Sequence, residues 1–225
     1  MTLTICLLLP IEKILENLKT NWENLLQPFQ VDKSLSEKIL MDLCILYSSE
    51  DRFYHRLEHI EQILCTIASL SPICQNLPAL QLAAWFHDAI YNPKAKNNEE
   101  KSAEYAAIAL TQLQIPHTII DKVTKMILYT QYHQATTNDI DTQIFLDADL
   151  AILGANTTEY NLYAAAIRRE YAWMTAAEYH QGRIEILQKF LQRKRIYLTD
   201  GMFNKLEKPA RKNILTEIEI LSSLS

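Results

Sequence analysis

Side chains able to bind metal or move protons are few in this chain, and their spacing is informative. Six histidines occur in 225 residues. His55 and His59 are four apart, which places both on one face of a helix, one turn apart. His87-Asp88 directly follows the apolar run Leu82-Ala83-Ala84-Trp85-Phe86, so both polar groups emerge where a buried helix ends. Asp147 and Asp149 stand in LDADLAIL, where a bare carboxylate is costly unless it is paired or bound to a cation. The two are two residues apart, roughly 200° around a helix, so only one of them faces any given site. Taken singly, His87 reads as a satisfied core histidine and Asp88 as a helix cap. Taken together, these groups are imidazole and carboxylate donors on three core helices, a standard way to build a metal site in a bundle. Such donors suit Mn, Fe, Co, Ni or Zn, and Mg less well.

The elements that must position these groups are helical throughout. Apolar residues recur at three-to-four spacing over 11–26, 34–48 and 55–70. Residues 79–90 are apolar on nearly every side, which predicts a buried helix. Further helices are expected over 98–113, 117–131, 143–153, 159–174, 176–195 and 203–223. Asn97 with Glu100 has the pattern of a capping box. Pro116 suits a first helical turn, Gly154 a C-terminal glycine cap, and Thr157 or Thr158 an N-cap. No run alternates with period two for long. The expectation is an all-α fold of about ten helices in a single domain over 1–225, with 1–50 as an N-terminal helical extension and 51–225 as the core.

Composition excludes several function classes. With only three glycines, all isolated, the chain holds neither a P-loop nor a Rossmann fingerprint. Phosphate, if bound, must then be met by a metal and by cationic side chains; Arg56, Lys94, Lys96 and Arg168 are the candidates. The net charge of −5 gives no strong nucleic-acid signal and no attraction to an anionic membrane. The apolar run Ile5–Leu9 is too short to span a bilayer. Cys6, Cys44, Cys65 and Cys74 form no CxxC pair and sit among apolar neighbours, which reads as reduced, mostly buried thiols and a cytoplasmic protein. His117 and His180 read as surface residues, and Trp85, Trp173 and the eleven tyrosines as mainly core. A homodimer is compatible with all of this.

The ordered pattern H…HD…D resembles that of the HD superfamily of metal-dependent phosphohydrolases. His59, His87, Asp88 and Asp149 match its four ligand positions. The string Tyr54-His55-Arg56-Leu57-Glu58-His59 is similar to the YHxxxH string of cyclic-nucleotide phosphodiesterases, in which the second histidine holds metal and the first is the general acid. Asp147-Ala148-Asp149-Leu150 resembles strings in which the second aspartate ligates. Asn98-Glu99 with Ser102, Ile167-Arg168 with Glu170-Tyr171, Arg195-Ile196-Tyr197, and Arg211 with Asn213 resemble a smaller branch of predicted members. Many YHxxxH strings have Asn where this chain has Arg56.

The resemblance implies a helical bundle and one or two divalent metal ions (Mn, Fe, Co, Ni or Mg). It implies hydrolysis of a nucleotide or other small phosphate ester by metal-activated water. His55 then protonates the leaving oxygen, and Glu99 approaches the attacking water as a base; otherwise Glu99 is an acidic first-turn residue favoured by the helix dipole. His133 holds a second metal or the phosphate; otherwise it is an exposed residue ending its helix. Two alternatives share the fold: an oxygenase with two irons, and a nucleotide-binding protein without catalysis.

Overall fold

The computed structural model describes residues 11–136 and 138–224; the run Ile5–Leu9 and Cys6 lie outside them. The described residues form an all-α fold of ten α-helices: α1 (Ile11–Leu26), α2 (Lys33–Tyr47), α3 (Leu57–Leu70), α4 (Leu77–Phe86), α5 (Asn98–Gln112), α6 (His117–Tyr129), α7 (Ile140–Asp149), α8 (Thr157–Glu170), α9 (Ala176–Gln192) and α10 (Asp200–Ser223). Helix α4 is the centre. It packs on α3, α5, α6 and α7, and it is buried over nearly its whole surface, as its apolar composition requires. Helix α1 lays Ile14, Leu18, Trp22, Leu25 and Leu26 into the same core. There Trp22 meets the edge of Trp85 at 5.2 Å, and its indole N–H is held by Ser36 Oγ at 3.0 Å.

A second cluster joins the 3-10 helix Leu150–Gly154 to α8, α9 and α10, with Leu70 packed against both clusters. Buried charge ties its helices together. The Glu217 carboxylate of α10 takes Arg183 Nε of α9 at 2.8 Å and the Tyr160 hydroxyl of α8 at 2.5 Å. Among the described residues, no helix is long and apolar enough to cross a membrane.

Several local expectations are corrected. Asn97 precedes α5 without capping it through its side chain, so the Asn97–Glu100 box is not formed; the reciprocal capping box is Thr175–Glu178, at α9. Helix α8 is capped by Asn156 rather than Thr157 or Thr158. Pro116 is the N-cap of α6 rather than its first turn. Gly154 does not have a positive φ. Glycine is needed there because a Cβ would lie 2.6 Å from Leu206 Cβ and 3.0 Å from the Leu206 carbonyl oxygen. Of the cysteines expected to be buried, Cys65 is exposed and Cys44 and Cys74 are half-buried. Trp173, expected in the core, is half-exposed, at 50%.

Candidate metal centre

Four elements bring donor atoms to one point. His59 lies in the first turn of α3 and Asp149 ends α7. His87 caps the C-terminus of α4, and Asp88 follows in the turn. His59 Nε2 is 3.1 Å from Asp149 Oδ1 and 3.3 Å from His87 Nε2. His87 Nε2 is 3.0 Å from Asp88 Oδ2 and 3.7 Å from Asp149 Oδ1. The helix predicted over 79–90 stops at Phe86 because side chains take the backbone groups that follow. The Arg52 guanidinium donates to the carbonyls of Asp88 (2.7 Å) and Ala89 (2.9 Å), and the Asp88 N–H donates to the Tyr47 hydroxyl (3.1 Å). Arg52 is thus a buried staple of the centre, and nothing in its sequence surroundings marks it.

The donor set fits a cation. His87 Nδ1 is 3.0 Å from the Ala84 carbonyl, which can only accept, so Nδ1 carries a proton, and in the neutral ring the lone pair lies at Nε2, facing the centre. That lone pair faces His59 Nε2 and two carboxylate oxygens, an arrangement a shared positive charge satisfies. His59, His87 and Asp149 form a group that can hold a metal ion. Without a cation, a proton supplies that charge. Burial opposes charge on His87, but Asp88 and Asp149 lift its pKa to about 9, so a bound metal ion displaces a proton from Nε2. Burial likewise opposes charge on Asp149, yet His133 and His59 hold its carboxyl well below the usual range. His59, buried beside two other histidines, is pushed down.

His55 is not on the helix with His59. Helix α3 begins at Leu57, after an extended Arg56, so the shared-face argument fails. The two rings are nevertheless 5.8 Å apart, because Glu170 folds the segment back. Glu170 Oε1 accepts the N–H groups of Phe53, Tyr54 and His55, at 2.8, 2.8 and 3.0 Å. Its Oε2 accepts from His55 Nδ1 at 2.7 Å and from the Tyr91 hydroxyl at 2.9 Å. The Tyr91 ring lies 4.3 Å from the His55 ring. His55 Nε2 is left facing Asp88 Oδ2 at 3.9 Å. Burial works against a charged His55, but Asp88 and Glu170 outweigh it and raise the pKa.

His133 does not end a helix. It lies in the turn four residues beyond α6 with φ at 47°, a left-handed conformation that costs a non-glycine residue about 1 kcal/mol or more. Its Nε2 is 2.9 Å from Asp149 Oδ2, so the two oxygens of Asp149 have different partners. Glu99, in the first turn of α5, is half-buried, and burial followed by the nearby charge of Asp88 raises its pKa. Asp147 points away, as the helical angle predicts. It accepts the Leu198 and Thr199 N–H groups and the Thr199 hydroxyl at 2.6–2.8 Å, fixing the start of α10.

The cationic candidates are not gathered at the centre. Arg56 lines a different cleft, between α1 and α2, with its Nε 3.9 Å from Glu58. Arg168 donates to the carbonyls of Tyr171 (2.8 Å) and Met174 (3.3 Å), closing the turn after α8. Lys96 is exposed, and Lys94 is exposed with its Nζ 5.6 Å from the centre of the Trp173 ring. Sequence reasoning missed Arg52 as a staple and Glu170 as the holder of His55. Neither is marked by its surroundings, since both are buried single residues within exposed or half-buried segments.

No family model matches the chain, and neither does any curated protein or solved structure.

Proposed function

We propose that this protein is a metal-dependent phosphohydrolase of the HD type, acting on a phosphate ester of a nucleotide or another small molecule. The observation that carries the reading is the convergence of His59, His87, Asp88 and Asp149 beside a histidine held for proton transfer. A divalent cation held by those four residues supplies Lewis-acid polarisation of a phosphoryl oxygen and eases ionisation of a water near neutral pH. The remaining work belongs to the chain. Glu170 fixes the His55 tautomer with its proton on Nδ1. A raised pKa lets Nε2 carry a second proton, and that one passes to the leaving oxygen as the ester P–O bond breaks. Glu99, a stronger base for its burial, takes a proton from the attacking water as the new P–O bond forms.

The test is phosphate release from a panel of nucleotides and simple esters under Mn²⁺, Co²⁺, Ni²⁺ and Mg²⁺. The double variant H87A/D88A should lose both bound metal and activity; full retention of either refutes the ligand assignment. H55A should keep its metal and lose about 10²–10⁴-fold in kcat on alkyl esters, as removal of a general acid does. It should lose far less on nitrophenyl esters, whose leaving group needs no proton. One observation favours a second reading, an oxygenase with two irons: His133 on the second oxygen of Asp149, where a bridging carboxylate would serve both ions. Two irons per chain, with no phosphate release from any ester, would select it.

A further inference from the structure

His133 meets Asp149 from a left-handed backbone, and the structure shows what holds it there. Two of its supports are local: its N–H donates to the Tyr129 carbonyl at 2.8 Å, and its ring meets the edge of Phe190 at 6.1 Å. The third comes from 60 residues away. Arg193, just past the end of α9, donates from Nη1 to the His133 carbonyl at 2.9 Å and from Nη2 to the Tyr132 carbonyl at 2.8 Å. The same guanidinium lies 4.5 Å over the Phe190 ring. Arg193 is fixed in turn: its carbonyl accepts from Arg211 Nη2 at 2.6 Å, while Arg211 Nε pairs with Glu207 at 2.7 Å. Among the described residues, the other positive-φ residues apart from glycine, Gln30 and Gln114, follow helical turns and carry no donor in the centre.

We infer that Arg193 is a positioning residue for the centre, acting through His133 on the second oxygen of Asp149. The inference rests on the metal-centre reading above, and it assigns a role to the end of α9 that no ligand motif contains. A planar fork suits this task, because two carbonyls of consecutive residues are gripped at once and the turn cannot rotate about either bond. Loss of the fork lets the turn relax to an ordinary backbone, and His133 leaves Asp149.

A double-mutant cycle tests it with Mn²⁺ as the probe and affinity measured by calorimetry. R193A should bind Mn²⁺ roughly tenfold more weakly, the usual scale for a group that orients a ligand from outside the ligand set. H133A should lose at least as much. R193A added to H133A should lose nothing further, since a residue that acts through another is silent once that one is gone. A second readout needs no metal: the His133 ring resonances, identified by their absence from H133A, should shift in metal-free R193A as the ring leaves Phe190. Losses that multiply in the double variant, or His133 resonances that stay in place, overturn the proposal. If the unaltered protein binds no Mn²⁺, the metal-centre reading fails, while the resonances still decide the role of Arg193. Should R193A fail to fold, R193K keeps the stem over Phe190 without the fork and carries the same comparison.

Discussion

Both oxygens of Glu170 are committed to the segment that carries His55, so one carboxylate fixes where that ring stands beside the candidate centre. Three backbone N–H groups and a ring N–H point at it, so its ionised form is the one the fold requires. In E170Q the amide places donors against those donors. A loss of about 2–3 kcal/mol in stability is expected, the range for leaving buried polar groups unsatisfied. The pH dependence has a defined sign. Although burial opposes ionisation, His55 and the backbone N–H groups bring the carboxyl from 4.5 to about 2. A depressed folded-state pKa means the stabilisation is complete above about pH 4.5 and is lost as the pH falls toward 2. Denaturant melts at pH 7 and pH 3 should therefore show a smaller acid penalty in E170Q than in the unaltered protein. At this scale the sequence was readable where a residue type cannot be buried idly. His87, Asp88 and Asp149 stood out that way. Arg52 and Glu170 did not: Arg52 holds backbone carbonyls, which every residue has, and Glu170 meets His55 and Tyr91 from 115 and 79 residues away.

Among the helices, periodicity sets existence and face, while side chains from elsewhere set the ends. The ten expected helices are present, and the angle between Asp147 and Asp149 sorts them correctly to opposite sides of α7. Helix α4 stops short of residue 90 and α3 starts later than residue 55 because Arg52, Tyr47 and Glu170 compete with the helix for its terminal groups. The glycines give a paired test of packing against propensity. G154A drives a Cβ into Leu206 and should cost about 1–3 kcal/mol, the range for overpacking a filled core. G182A lies within α9 with nothing inside 4 Å of the new Cβ and should gain about 0.5–1 kcal/mol. Thermal melts of the two variants should move in opposite directions.

Over the whole molecule, ligands and their supports are divided along the chain. The candidate ligands fall between His59 and Asp149, while Glu170 and Arg193, which orient their neighbours, lie beyond. Where Arg56 and Arg168 come to lie, one beside α1 and α2 and the other in the turn after α8, depends on how separate helices pack, and no local pattern states it. A cation bound to the folded form alone should raise the melting temperature. Mn²⁺ at a hundredfold excess over its Kd would add about 2.7 kcal/mol. A chelator should reverse the gain and D149N should abolish it; an unshifted melt would count against the centre. The bond from His87 Nδ1 to Ala84 closes within one helical turn, whereas His59 and Asp149 are 90 residues apart in sequence. The first ligand is therefore aimed as soon as α4 forms, and the last arrives only when distant segments meet, an event late in folding. A cation that needs every ligand binds after the slowest step. In denaturant jumps, Mn²⁺ should slow unfolding and leave refolding nearly unchanged, acting as a latch on the finished structure and not as a seed for it.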